Sequence, residues 1–329
     1  MREDSTRKWS AEIFTLTDQL VTYYIHPDVA NKVRDLLHAK LMAGAFQELT
    51  SDEAFARAIT ADMQSVNGDK HLYLAHTSKY LPEQADPVLT EGAQDPRAAG
   101  LLGDGFAKVE RLPGNVALLD IRRFFDPAGS GFAAVAAMNL VASADVLLID
   151  LRECSGGEPE MVVTVHSYLV DERTQLNGLV FPAEKRTIQY WTLPYVPGPK
   201  FGGTKPTYVL TSNRTFSGAE GFSYDLQQYG RATIVGEPTA GGANFHFPMR
   251  VSDHLFSAVP SGYPVQPVSG TNWEGVGVQP DIPVAVSRAF KTAYGLALDY
   301  VMGLNADGPR RQVAEQAARA RASLDADYD

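Results

Sequence analysis

The sequence predicts an α/β protein, a parallel sheet with covering helices, preceded by a small helical unit. Two strand–turn–helix passages and one run of helical stripes carry that expectation. In the first passage, residues 206–242, Tyr208, Val209 and Leu210 form a short apolar run. A polar turn leads to Ser217, after which Ala219, Phe222, Leu226 and Tyr229 recur at helical spacing. Gly230 ends that helix and residues 232–235 give a second strand, so the passage is a β-α-β unit. In the second passage Val146, Leu147, Leu148 and Ile149 read as a buried strand. It runs through Asp150, Leu151, Arg152, Glu153, Cys154 and Ser155 to Gly156 and Gly157, and Glu158 with Pro159 opens a helix. The helical stripes fill residues 9–66: Ile13, Leu16, Leu20 and Val21, then after Pro27 Val29, Val33, Leu36, Leu37 and Leu41, then Phe55, Ile59 and Met63. Thr50 with Glu53 has the capping-box spacing before the third stripe.

The remaining elements follow in order. Asn67, Gly68 and Asp69 make a turn, and His71 to Leu74 alternate so that Leu72 and Leu74 share an apolar face and His71 lies on the other. Residues 79–100 hold prolines and acids without a period, and read as a linker. Residues 106–112 and 115–121 are two strands around a Pro113-Gly114-Asn115 turn. Residues 132–142 are an alanine-rich helix, residues 176–203 an irregular excursion, and residues 256–259 a strand. The expected organisation is a helical domain over 1–78, a linker over 79–100, a core over 101–305 and a helical or frayed tail over 306–329.

Composition narrows the class. The chain has 329 residues, 44% hydrophobic and 21% charged, enough for two domains and a large core. A net charge of −10 argues against a nucleic-acid partner. No apolar run is long enough for a membrane span. The opening MREDSTRKWSAEIF lacks the apolar centre of a secretory signal, so the expected location is cytoplasmic unless a leader was removed before Met1. A single cysteine, Cys154, excludes an internal disulfide framework and a cysteine-built zinc site.

Several residues have both a structural and a chemical reading. Ser217 and Glu220 form the S-x-x-E pattern of a capping box; Ser217 also stands at the carboxyl end of a strand, where a nucleophile would have the Gly218 N–H beside its oxyanion. Gly156 and Gly157 read as a tight turn or as an oxyanion donor, and a phosphate cradle is disfavoured because no G-x-G-x-x-G or G-K-[ST] is present. Asp150 and Arg152 fit a pair that braces the turn. Glu274 lies among glycines in residues 270–281, either as an ordinary loop acid or where backbone approaches a ligand closely. Cys154 reads as a packed small residue.

Four stretches, GDKHLYLAH, VLLIDLRECSGG, PTYVLTSNRTFSGAEGFSYDLQQYGRATIVGEPTAGGA and GTNWEGVGVQPDIPV, occur in this order. Together they resemble the C-terminal-processing (tail-specific) serine peptidases, in the branch of the tricorn core and the interphotoreceptor retinoid-binding protein modules. The resemblance covers about residues 10–300. It implies a crotonase-like (Clp-protease-like) α/β core without the inserted PDZ domain, for which residues 82–100 leave no room. It implies Ser217 as nucleophile, Gly218 with Gly156 or Gly157 as oxyanion hole, His71 as base and Glu274 as its carboxylate, with Glu220 capping the helix or orienting Ser217. A Ser–Lys dyad is ruled out, since Gly242 stands at the lysine position. The sequence departs from the family at Lys70, where the tricorn core has a relay serine, at Cys154, usually asparagine, and at Asn244, often histidine. The implied function is a serine peptidase acting on a peptide or protein, with no cofactor and no metal, and with a homo-oligomer left open. The rival readings are a catalytically reduced module binding an apolar ligand, lined by Phe106, Phe124, Phe125, Trp191 and Trp273, or an acyl transferase, esterase or peptide cyclase using the same serine.

Overall fold

A computed structural model describes residues 8–83 and 96–326, which divide into two compact units. Of the described residues, 8–83, 179–188 and 244–265 make one unit and 96–178, 189–243 and 266–326 the other.

Three helices open the first unit: α1 Ser10–Tyr23, α2 Pro27–Met42 and α3 Asp52–Asn67. Ile13, Leu16 and Leu20 of α1, Val33, Leu37 and Leu41 of α2, and Phe55, Ile59 and Met63 of α3 are buried together, as the stripes require. Ser51, rather than Thr50, caps α3: its extended backbone lets its side chain accept from the Ala54 N–H at 3.2 Å. Gly68, at φ 74°, ends the helix. Strand β1, Tyr73–His76, follows. The helices do not close their own core. Met249, Val251, Leu255 and Val259, from far along the chain, join Leu72 and Leu74 in the same cluster. Each such side chain contributes about 1.5–3 kcal/mol when fully buried, which explains why 244–265 groups with the helices.

In the second unit, α4 Pro96–Leu101 precedes β2 Phe106–Leu112 and β3 Val116–Ile121, and α5 Pro127–Val141 leads to β4 Val146–Asp150 and α6 Pro159–His166. Helix α5 begins five residues before the alanine-rich stretch, because Asp126 accepts from the Ala128 N–H and Pro127 sits at its first turn. The expected irregular excursion instead contains two strands, β5 Gln175–Phe181 and β6 Arg186–Trp191. The chain continues through β7 Thr207–Thr211, α7 Gly218–Gln228, β8 Thr233–Gly236, β9 Phe245–Arg250, β10 Leu255–Val265, β11 Ile282–Pro283, α8 Val286–Met302 and α9 Arg310–Ala326. Of the expected linker, residues 84–95 lie outside the described residues, as do residues 327–329 of the tail.

A six-stranded sheet in the order β11-β8-β7-β4-β3-β2 forms the second unit's centre; every pair is parallel except β2 with β3. Both faces are covered, so β4 is buried throughout and apolar from Val146 to Ile149. Leu147 and Ile149 point into the cluster that holds Met161 of α6 and Phe222 of α7, while Val146 and Leu148 point into the cluster of Ala293 and Leu298 of α8 and Ala317 of α9. The other sheet pairs β10 antiparallel with β1 and with β9, and β5 and β6 extend it. Among the described residues there is no inserted PDZ domain and no helix long and apolar enough to cross a membrane.

Candidate active site

The parallel sheet delivers two turns to one place. Strand β7 ends at Thr211, and the following turn is fastened to the segment after β4. The Thr215 hydroxyl donates to Leu151 O at 2.8 Å, the Ser212 hydroxyl to Arg152 O at 2.5 Å, and the Phe216 N–H to Cys154 O at 3.1 Å. Ser217 follows at φ 53° and ψ −120°. That is the conformation of the first central residue in a type II′ turn, normally a glycine position. A side-chain-bearing residue held there is strained, and such strain concentrates at functional sites.

The glycine turn after β4 lies directly against Ser217. Gly156 has φ 91°, and a methyl group there would sit 2.6 Å from Phe216 O and 2.8 Å from Ser217 Cβ. Gly157 has φ 134°, and a methyl group would sit 2.0 Å from Phe124 O. The chain 122–124 threads past this turn: the Phe124 N–H donates to Gly156 O at 2.8 Å and the Glu158 N–H to Phe124 O at 2.7 Å. The glycines are required because three backbones meet without room for Cβ. Burial pushes the Cys154 thiol, two residues before this turn's first glycine, up to about 12. Neither the Gly157 nor the Gly218 N–H donates to a main-chain acceptor among the described residues.

Glu220, fully buried on the first turn of α7, ties this serine turn to the segment after β8. Its Oε2 accepts from the N–H of Ser217 at 2.8 Å and of Gly242 at 2.9 Å; its Oε1 accepts from the Thr239 hydroxyl and the Gly241 N–H, both at 2.6 Å. Burial raises its carboxyl to about 7, while the four donors favour the charged form. Glu274 holds the next residue of the same segment: its half-buried carboxylate accepts from the Ala243 N–H at 2.5 Å. The Gly275 N–H donates to Gly241 O at 2.9 Å and the Trp273 indole to Gly242 O at 3.0 Å. Glu274 is thus a support of the 241–243 backbone rather than an ordinary loop acid. Asp150 and Arg152 pair through two bonds, at 2.9 and 2.6 Å, and Arg152 also donates to Val286 O at the start of α8.

His71 belongs to the first unit. It is not on the open face of a strand. Strand β1 begins two residues later, and His71 sits in the preceding turn, 5% exposed. Its N–H donates to Asp69 Oδ1 at 2.9 Å, and its ring centre is 5.6 Å from that of His246. Burial lowers its pKa to about 4, so the imidazole is neutral at physiological pH. Lys70 is exposed. Asp69 is expected from the sequence only as a turn residue, yet an aspartate two residues before the histidine at the end of an Asn-Gly turn is also an Asx-turn pattern. Among the aromatics proposed for a ligand pocket, Phe124, Phe125 and Trp273 are buried, with Phe124 and Trp273 in the core.

The strained serine turn and the paired glycines lie together at the carboxyl end of the parallel sheet of an α/β core. The signature of peptidase family S41 matches residues 115–284, and that of the N-terminal domain of Peptidase_S41 in eukaryotic IRBP matches residues 6–100. The chain belongs to peptidase family S41. Its fold is similar to that of a lipoprotein from Streptococcus agalactiae, at 15% identity and TM-score 0.59, covering 88% of this chain and 96% of that one. It is also similar to the photosystem II D1 C-terminal processing protease, at 14% identity and TM-score 0.51, covering 93% and 97%. The tricorn protease matches at 14% identity and TM-score 0.53, over 98% of this chain and 37% of that one.

Proposed function

We propose that the protein is a serine peptidase in which Ser217 forms an acyl-enzyme with a peptide substrate and His71 is the base. The Ser217 hydroxyl attacks the scissile carbonyl carbon as His71 takes its proton. The carbonyl oxygen becomes an oxyanion, received by the N–H groups of Gly218 and Gly157. His71 then gives the proton to the leaving amine, and a water molecule deacylates the serine by the reverse sequence. Gly157 is taken as the second donor because its N–H meets no main-chain acceptor among the described residues. Glu274 is the carboxylate the family resemblance assigns to the histidine. Glu220 and the Asp150–Arg152 pair hold the loops. An oxyanion donor of this kind contributes roughly a hundredfold or more in rate.

The observation that carries the reading is Ser217 held at φ 53°, ψ −120° beside two glycine amides that no main-chain acceptor among the described residues uses. The test is covalent labelling with a fluorophosphonate probe. The folded protein should acquire one adduct at Ser217, Ser217→Ala should acquire none, and His71→Ala should label at a small fraction of the parent rate. No adduct on the folded protein, or an equal rate in His71→Ala, refutes the assignment.

A further inference from the structure

The first unit contains a carboxylate in an improbable place. Asp69 is 2% exposed, and among the described residues no lysine or arginine pairs with it. A buried carboxylate without a cation is costly unless its oxygens are well supplied with donors. Asp69 is so supplied, and each donor comes from a different part of the chain. Oδ1 accepts from the His71 N–H at 2.9 Å, which closes an Asx turn over Lys70. Oδ2 accepts from the Tyr24 hydroxyl at 2.9 Å, at the end of α1, and from the Asn244 side-chain amide at 3.0 Å, one residue before β9. Asn67 reinforces the turn: its amide donates to the Tyr24 oxygen at 2.7 Å, and its Oδ1 accepts from the Asp69 N–H at 3.3 Å.

An Asx turn needs only one acceptor, and asparagine or serine would supply it without burying a charge. What those residues do not supply is a second oxygen that takes two further donors while the first holds His71. The geometry points to Asp69 as the positioning residue of the base: it fixes the main chain of His71 against α1 and against the start of β9. It does not touch substrate. The ring is then flanked from one side by His246, which is itself packed edge-on against Tyr73 with centres 5.5 Å apart. This inference rests on His71 being the base of the proposed reaction. A base displaced by about 1 Å loses on the order of a hundredfold in rate, so positioning is a measurable contribution.

The test compares fluorophosphonate labelling of Ser217 in the full chain for Asp69→Asn, Tyr24→Phe, Asn244→Ala and the exchange Asp69→Asn with Asn244→Asp. Asp69→Asn should label about tenfold to a hundredfold more slowly, because its amide nitrogen faces donors. The exchange returns an acceptor to the pair and should recover most of that loss, which a purely structural defect would not show. Tyr24→Phe and Asn244→Ala keep the carboxylate and should each give a smaller loss; they carry the test if Asp69→Asn does not fold. Parent-rate labelling in Asp69→Asn, or in both Tyr24→Phe and Asn244→Ala, with His71→Ala still impaired, overturns the positioning role alone. Parent-rate labelling in His71→Ala removes the base assignment, and the role of Asp69 with it.

Discussion

Replacing Ser217 by glycine should make the protein more stable than replacing it by alanine, although both remove the nucleophile. The reason is the backbone at φ 53°, ψ −120°. Serine and alanine are both forced to hold a Cβ there, at about 1–3 kcal/mol of strain, and glycine is not. Glycine has more freedom to lose from the unfolded chain, about 0.4–1 kcal/mol. The difference of the two ranges is roughly 0–2.6 kcal/mol in favour of glycine, about 1.3 kcal/mol at their centres. Comparing the two variants cancels the lost hydroxyl, and the Ser217 N–H bond to Glu220 is available to both. At that central value the gap in thermal unfolding is about 2–4 °C. A glycine variant less stable than the alanine variant would show that the strain at residue 217 is smaller than the entropy glycine loses, below about 1 kcal/mol, and the main argument for a functional serine would fall.

Three further outcomes follow from the same geometry. Glu220→Gln presents an NH2 group to two of four buried donors; at about 1–3 kcal/mol for each donor left unsatisfied, stability in urea should drop by about 2–6 kcal/mol, and no measurable drop would refute the four-donor account. The Cys154 thiol, raised to about 12 by burial, is protonated at neutral pH, so a thiol reagent should modify it only after denaturation; rapid reaction in the native protein contradicts the burial. Burial lowers His71 to about 4 and His246 to about 3, from 6.5. The unfolded chain therefore binds more protons below about pH 6.5, and the stability these rings contribute is complete above pH 6.5 and is lost as pH falls toward about 4 for His71 and about 3 for His246. Hydrogen exchange in α1–α3 should be faster at pH 5 than at pH 7 after correction for the intrinsic rate, and equal protection would count against it.

The serine turn was legible because its determinants are local. An apolar strand, a polar turn, Ser217 and a periodic helix lie within one short stretch, and the same holds for β4 and its glycines. The setting of His71 was not legible, because its turn is buried by Tyr24 and Asn244, which lie 45 and 175 positions from Asp69. Alternation from Leu72 to Leu74 placed the histidine on an open strand face, whereas the strand starts only at Tyr73. Strands β5 and β6 escaped notice because Asn177 and Gly178 interrupt the apolar pattern of one and the other is mostly exposed or half-buried. Helix α8 had a readable signal in Ala289, Ala293, Ala297 and Val301, four residues apart and all buried; small side chains made that stripe faint.

Glu220 and Asp69 solve the same physical problem in the two units. A loop that presents a reactive side chain leaves main-chain N–H groups pointing inward, without a ladder to receive them. Water cannot serve them in a packed interior, and a neutral amide or hydroxyl accepts too few bonds to serve several strands of chain at once. A carboxylate has two oxygens and about four acceptor sites, which Glu220 spends on Ser217, Thr239, Gly241 and Gly242, and Asp69 on His71, Tyr24 and Asn244. In both, converging N–H and O–H donors occupy the acceptor sites that a cation would otherwise take. The arrangement also explains why a cation would be a poor substitute partner: an arginine would occupy the acceptor sites that the loops require. A buried acid satisfied mainly by backbone and short polar side chains from separate segments fixes those segments to one another.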